Sequence, residues 1–125
     1  IQYGLDYRSV MPCNLYGLGD NYDEINGHVI PSLIKKFHIA KIKNLEKVKV
    51  WGTGNPKREF LFSDDLADAC IDIILTSKEK FKKIVLGESS LINIGCGEEI
   101  SIKSLAAKIS KIVGYNGAIS FVLPV

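Results

Sequence analysis

The chain lacks any apolar run approaching the ~20 residues needed to cross a bilayer. It has no glycine-rich phosphate loop following a strand, and no cysteine or histidine spacing suited to a metal. Its three cysteines, Cys13, Cys70 and Cys96, are odd in number, far apart and free of any CxxC pattern. That argues against a disulfide framework and predicts three buried thiols in a reducing compartment. An excess of one charge is also missing: 16 basic and 14 acidic side chains leave a net +2. So small an imbalance gives no electrostatic case for nucleic acid or an anionic membrane, and favours a small-molecule ligand. With no membrane span and no signal peptide, the expected location is the cytoplasm. No Ser/His/Asp or paired-carboxylate arrangement emerges from spacing, so the residues alone do not declare a reaction type.

What is present is enough apolar surface for a core: 46% of the 125 residues are hydrophobic, within the size of one domain or part of one. The first residue is Ile1, and Tyr7 to Met11 already reads as a strand, so the chain is expected to begin inside a folded unit. Pro12 to Gly17 reads as the end of that strand, followed by a polar loop with Gly19, Asp20, Asn21, Asp23, Asn26 and Gly27. Loops of that length in compact domains tend to be functional. A helix follows, with Pro31 in its first turn and Ile30, Leu33, Ile34 and Phe37 on one face.

Lys47 to Trp51 alternates as a half-buried strand, Gly52 to Pro56 turns, and Arg58 to Phe62 is extended again. Ser63 is the expected cap of a helix whose buried stripe is Leu66, Ala69, Cys70, Ile73 and Ile74, with Asp64 and Asp65 near its positive end. Lys78 to Lys83 reads as the exposed end of that helix or a separate turn. Leu91 to Ile94 is a strand, and Gly95 to Gly97 leads to a helix capped by Ser101 and buried through Ile102, Leu105, Ala106, Ile109, Ile112 and Val113. Gly114 stops that helix, and Ile119 to Val122 is the last strand. The alternation predicts an α/β fold, and Asn14, His28, Trp51 and Arg58 fall at element ends, where such folds place ligands.

Three stretches carry a resemblance to a known family: YRSVMPCNLYGLGDNYDEINGHVIPSLIKKF from Tyr7, VKVWGTGNPKREFLFSDDLADA from Val48, and NIGCGEEISIKSLAAKI from Asn93. They resemble GDP-L-fucose synthases, which are extended short-chain dehydrogenase/reductases. The Gly-x-Gly-x-x-x-Arg-Glu-Phe pattern followed by Asp64 and Asp65 marks the extended group generally; HVIP and the loop before it point to the fucose synthases.

The resemblance implies late pieces of an NAD(P)-binding Rossmann-type fold plus the small substrate-binding domain. Residues 1–27 would be the end of the Rossmann part with the active-site loop, and 28–125 mainly the substrate-binding domain. It implies NADP(H) as cofactor, a GDP-sugar as substrate, and a homodimer for the intact enzyme. The chemistry implied is inversion at C3 and C5 of GDP-4-keto-6-deoxy-D-mannose followed by reduction at C4.

By the same resemblance His28 is the catalytic acid and lies beside the cofactor, and an imidazole suits a group that gives and regains a proton. Pro12, Cys13, Asn14 and Leu15 match the cofactor-binding turn. Lys36, Trp51 and Arg58 match substrate-contacting positions, a planar guanidinium being well suited to a diphosphate.

Taken without the resemblance, each has a plainer role: His28 as a helix-capping loop histidine, Asn14 as a turn former, Trp51 as a core residue at a strand end. Arg58 and Lys36 would be solvated surface cations. No metal site is implied. The family's Ser/Tyr-x-x-x-Lys set and its epimerisation cysteine have no match here, so the 125 residues alone are expected to be inactive. Leu18 stands where the family has Pro, and Gly27 where Ser often precedes the histidine, which predicts a less rigid loop. The rivals are another NAD(P)-dependent nucleotide-sugar epimerase or dehydratase, and a non-catalytic interaction domain.

Overall fold

The computed structural model describes residues 3–24, 26–85 and 90–123. In chain order it contains β1 (Ser9–Pro12), β2 (Asn14–Tyr16), α1 (Val29–Ile42), β3 (Lys47–Trp51), β4 (Lys57–Phe62) and α2 (Ser63–Leu75). Then come α3 (Lys78–Ile84), β5 (Leu91–Ile94), β6 (Glu99–Ser101), α4 (Ile102–Val113) and β7 (Ala118–Val122). The fold is α/β as the alternation predicts, with parallel pairing of β1 to β5, β2 to β4 and β3 to β7. The chain divides into two compact units, Ile1–Gly17 with Phe60–Gly97, and Leu18–Glu59 with Glu98–Val125.

In the first unit β1 lies against β5, from Ser9 opposite Leu91 to Pro12 opposite Ile94. The sequence predicts a turn from Pro12; the structure has a second strand instead. Proline fixes an extended backbone at its own position and the one before it, so the chain runs on. It changes partner at Cys13, whose N–H donates to the Ile94 carbonyl (3.0 Å). Asn14–Tyr16 then pairs with Phe60–Phe62 of β4, and the Tyr16 and Phe62 rings pack 5.5 Å apart. A side chain at Gly17 would meet Ser63 Oγ at 2.2 Å and Ser63 Cβ at 3.0 Å, so any larger residue there would have to turn the Ser63 hydroxyl away.

Asp64 and Asp65 occupy the first turn of α2, but Ser63 is not its cap. Phe62 holds that position, and the Ser63 hydroxyl hydrogen-bonds to the Asp64 carboxylate instead (3.3 Å). The α2 stripe is half-buried at Leu66, Ala69, Cys70 and Ile73, whereas Ile74 is 73% exposed. Leu66 and Ile73 are seven residues apart and nearly eclipsed, while Ile74 is about a quarter turn off that line. The lysine-rich stretch forms the separate helix α3, capped by Ser77, whose Oγ accepts from Lys80 N–H (3.3 Å).

Among the described residues only Leu61, Phe81 and Val85 of this unit are fully buried apolar side chains. Arg8 links several of its elements. The guanidinium donates to the Ile73 carbonyl and to the Thr76 carbonyl at 2.6 Å. It pairs with Asp6 at 2.8 Å and lies over the Phe81 ring, 4.7 Å from its centre. A cation at the carbonyl end of α2 is favoured by the helix dipole. The hydrogen bond from Arg8 holds the Asp6 carboxyl below its ordinary 3.8.

The second unit has the larger core: Leu33, Phe37 and Ala40 of α1, Val48 and Val50 of β3, Leu105, Ala106 and Ile109 of α4, and Tyr115. β3 alternates as predicted, with Val48 and Val50 inward, and pairs with β7 from Lys47 opposite Ala118 to Trp51 opposite Val122. Ser101 caps α4 by accepting from Ser104 N–H (3.1 Å), and Gly114 ends it at φ 76°. Ile112 of the predicted stripe points outward at 77% exposure, because the buried face centres on Ala106, Ile109 and Ser110. The short β6, which the sequence pattern does not announce, pairs antiparallel with Lys57–Glu59 of β4. Gly54 is buried, and a side chain there would strike the Phe121 ring at 2.7 Å.

The cysteines depart from expectation: Cys13 and Cys70 are half-buried and Cys96 is exposed. Cys13 falls between two strands, Cys70 on a helix with no fully buried side chain, and Cys96 in a turn. No helix is long and apolar enough to cross a membrane among the described residues.

Replacing Arg8 by Ala should lower the unfolding free energy by about 2–4 kcal/mol in urea at neutral pH, since it strands two carbonyls and opens a partly buried charge site. Asp6 sets the pH signature. Its depressed pKa means its share is present above 3.8 and lost as pH falls through the depressed value, so the gap between wild type and Arg8→Ala should narrow in acid.

Candidate functional site

Pro12, Cys13, Asn14 and Leu15 lie in the first unit; His28, Lys36, Trp51 and Arg58 lie in the second. Pro12 ends β1, Cys13 is the residue at which the strand partner changes, and Asn14 opens β2 with its side chain exposed. This is the carboxyl end of the β1/β5 pair, and the neighbouring turn after β5 contains Gly97 at φ 78°. Such strand ends are where open α/β sheets receive ligands. No phosphate-cradling loop accompanies this strand end among the described residues.

His28 sits in the N-cap position of α1 with an extended backbone, and its ring makes no capping hydrogen bond. The plainer role of a capping histidine is thereby set aside. Its side chain is 79% exposed, with Nδ1 3.5 Å from Asp20 Oδ1. The loop behind it is held by its own side chains. Asp20 Oδ1 accepts from Asn21 N–H (2.7 Å), Asn21 Oδ1 from Asp23 N–H (2.9 Å), and Asp23 Oδ1 from Asn26 N–H (2.7 Å). Gly27 N–H donates to the Asp23 carbonyl (3.0 Å), and Ser32 Oγ ties the first turn of α1 to the Glu24 carbonyl (3.3 Å).

Gly27 sits where the loop closes on itself. A side chain at position 27 would lie 2.2 Å from the Asp23 carbonyl oxygen and 2.5 Å from that of Asn21. Glycine at 27 therefore permits the close approach that closes the loop.

Trp51 is not a core residue. It takes the outward phase of β3 and is 59% exposed, and the Lys36 ammonium lies 4.9 Å from its ring centre. Lys36 is half-buried, more confined than a freely solvated lysine. Arg58 is exposed on β4, with Nη1 donating to the Lys57 carbonyl (2.8 Å), and it forms no ion pair among the described residues. Lys36 and Trp51 are thus brought together. No hydrogen bond or ion pair joins His28 to Trp51 or Arg58 among the described residues. Two consequential residues, Asp20 and Arg8, escape sequence reasoning, because their partners lie at separations that no helix or strand period marks.

The model of the NAD dependent epimerase/dehydratase family matches residues 1–95. The chain belongs to that family. Among epimerase/dehydratase relatives it is 48% identical over 120 residues to GDP-L-fucose synthase of Escherichia coli (strain K12), covering 96% of this chain and 37% of that protein. It is 43% identical over 121 residues to GDP-L-fucose synthase 1 of Arabidopsis thaliana, covering 97% and 35%.

Similar solved structures include a GDP-mannoheptose C4 reductase from Campylobacter jejuni with NADP bound (TM-score 0.83, 32% identity, 98% of this chain and 44% of that one). A GDP-L-fucose synthetase from Naegleria fowleri bound to NADP is another (TM-score 0.78, 29% identity, 94% and 34%). The chain spans little more than a third of the length of these curated epimerase/dehydratase relatives.

Gly27→Ala should break the loop's closure. We expect amide exchange at residues 21–24 and 26–28 to rise at least tenfold and stability to fall by about 1–3 kcal/mol, as for an overpacked site. Unchanged exchange would show that the loop has room for a side chain.

Proposed function

We propose that this chain is the carboxyl-side portion of an NADPH-dependent enzyme that converts GDP-4-keto-6-deoxy-D-mannose to GDP-L-fucose. It would work with a cofactor loop and a Ser/Tyr-x-x-x-Lys proton relay that the 125 residues do not contain. The observation that carries this reading is the Trp51–Lys36 pair: an exposed indole with an ammonium over its ring. Arg58 stands on the strand that follows the Gly52–Pro56 turn. An aromatic face with one cation over it, and a guanidinium on the following strand, suit the base and the diphosphate of a nucleotide. GDP is the part shared by the names of the fucose synthases and the mannoheptose reductase, whereas the sugar differs between them.

In this reading the first unit supplies the end of the cofactor-binding domain, through Pro12, Cys13, Asn14 and Leu15 at the carboxyl end of β1. The second unit supplies most of the substrate side, through Lys36, Trp51 and Arg58. Residues 60–97 would then stand with the cofactor side, apart from the remainder of 28–125. NADPH, when bound, supplies the hydride that reduces the C4 ketone.

This chain's own part in the chemistry is a proton at His28. A ketone acidifies the hydrogens on both neighbouring carbons, so inversion at C3 and C5 needs an acid that can reload between steps, and the exposed imidazole meets that need. Orientation of the GDP falls to Trp51, Lys36 and Arg58. The resemblance to fucose synthases further supports a cytoplasmic homodimer for the intact protein.

Trp51 is the single tryptophan, so its fluorescence reports its own ring. Titration with GDP should quench it, with a half-site Kd on the order of 0.1–1 mM, UDP should bind more weakly, and Lys36→Ala should weaken GDP about tenfold. Equal response to UDP would overturn the GDP assignment, and no response to either would overturn the nucleotide-sugar reading. The 125-residue chain should show no NADPH oxidation with the keto sugar, and steady turnover would show that it needs no partner segment.

A further inference from the structure

We propose that Asp20 is a positioning residue for His28: its carboxylate holds Nδ1 and so leaves Nε2 as the ring nitrogen that exchanges protons with the substrate. The inference rests on the reading of His28 as the acid and extends it to a residue eight positions earlier in the chain.

The asymmetry of the pair carries it. The Asp20 side chain is only 16% exposed, whereas the His28 side chain is 79% exposed. Asp20 is also pinned, because the same Oδ1 that faces the ring accepts from Asn21 N–H at 2.7 Å. From there the brace continues through Asn21, Asp23 and Asn26 to Gly27, the residue before the histidine. The fixed member is therefore the carboxylate and the adjustable member is the ring.

A histidine that makes no capping hydrogen bond at its helix end gains no ring orientation from the helix. The Asp20 carboxylate lies 3.5 Å from Nδ1, closer to that edge of the ring than any other charged group that pairs with His28 among the described residues, and it favours a proton there. When one ring nitrogen is held by a carboxylate, the tautomer is fixed and the other nitrogen is committed to the solvent or ligand side. An exposed imidazole left to itself favours the proton on Nε2, which would leave the ligand-facing nitrogen without its lone pair for reloading. Asp20 reverses that preference.

The test reads the ring directly by nitrogen-15 NMR of the 125-residue chain, at a pH where the imidazoles are neutral and with no ligand present. His38, exposed on α1, serves as internal reference. We expect His28 to carry its proton mainly on Nδ1, and His38 mainly on Nε2. In Asp20→Asn the amide oxygen can keep the Asn21 hydrogen bond while the charge is gone, and the Nδ1–H to Nε2–H ratio at His28 should fall by about fivefold or more.

Asp20→Ala should produce the same fall, together with faster amide exchange at Asn21. If His28 already matches His38 in the wild type, or if Asp20→Asn leaves its ratio unchanged with the loop amides intact, the proposal is overturned. Because the spectrum is taken without nucleotide, that failure is separate from a failure of GDP to bind, which would instead remove the functional reading and leave the tautomer result standing.

Discussion

The half-buried guanidinium of Arg8 is the contact through which the helices and the first strand of the first unit meet. Among the described residues few of that unit's apolar side chains are fully covered, and none of those on α2 is. Arg8 joins elements that no periodicity brings together. It closes the carbonyl end of α2, stacks on the one buried side chain of α3, and balances its charge on Asp6. A side chain at 10% exposure that is met by two carbonyls, a carboxylate and an aromatic face is a buried charge with its partners in place. β1 follows directly from Arg8. The course of the strand that delivers Asn14 is thus set by a contact at its other end.

The second unit solves the opposite problem. It has an apolar core ample enough to fix α1, α4 and β3, with Phe37 fully enclosed and its ring 5.6 Å from that of Tyr115. The Tyr115 hydroxyl donates to the Leu45 carbonyl (3.0 Å). On this scaffold the side chains proposed to act point away from the core: Trp51 by strand alternation, His28 by its place ahead of the first helical turn. Among its described residues the loop from Leu18 to His28 has no ladder or helix of its own, and short side chains with carbonyl-like oxygens replace one. Asp and Asn are common in such loops because they bond to backbone N–H groups one to three residues on.

Much of this was legible from the residues. β3, α1 with Pro31 in its first turn, the Ser101 cap and the Gly114 stop follow from period and cap chemistry. These are local rules whose evidence lies within a few neighbouring residues. Where the pattern misled, a tertiary partner had decided. Pro12 does end β1, but the chain opens β2 at Asn14 instead of running straight into a loop, trading β5 for β4 across Cys13. Ser63 looked like a cap, yet its hydroxyl pairs with Asp64 while Gly17 packs against it. Ile74 and Ile112 carried the right hydrophobicity but sit at the margins of their stripes. Of the site, residue types suggested His28, Trp51 and Arg58, but the confinement of Lys36 by Trp51 and the pairing of Asp20 with His28 are spatial facts with no local signature.

The turn between β3 and β4 shows how unevenly one short motif can be constrained. Gly52 and Gly54 both have positive φ, at 88° and 77°. Around Gly52 there is open space, whereas Gly54 is walled in by the Phe121 ring and Lys103, and its carbonyl accepts from Lys103 N–H (2.8 Å). Asn or Asp, which tolerate a left-handed backbone, would meet no neighbour at the first position, whereas at the second any side chain would have to displace the Phe121 ring. The same residue type thus serves two different needs two positions apart: backbone conformation alone at Gly52, and conformation together with close packing at Gly54.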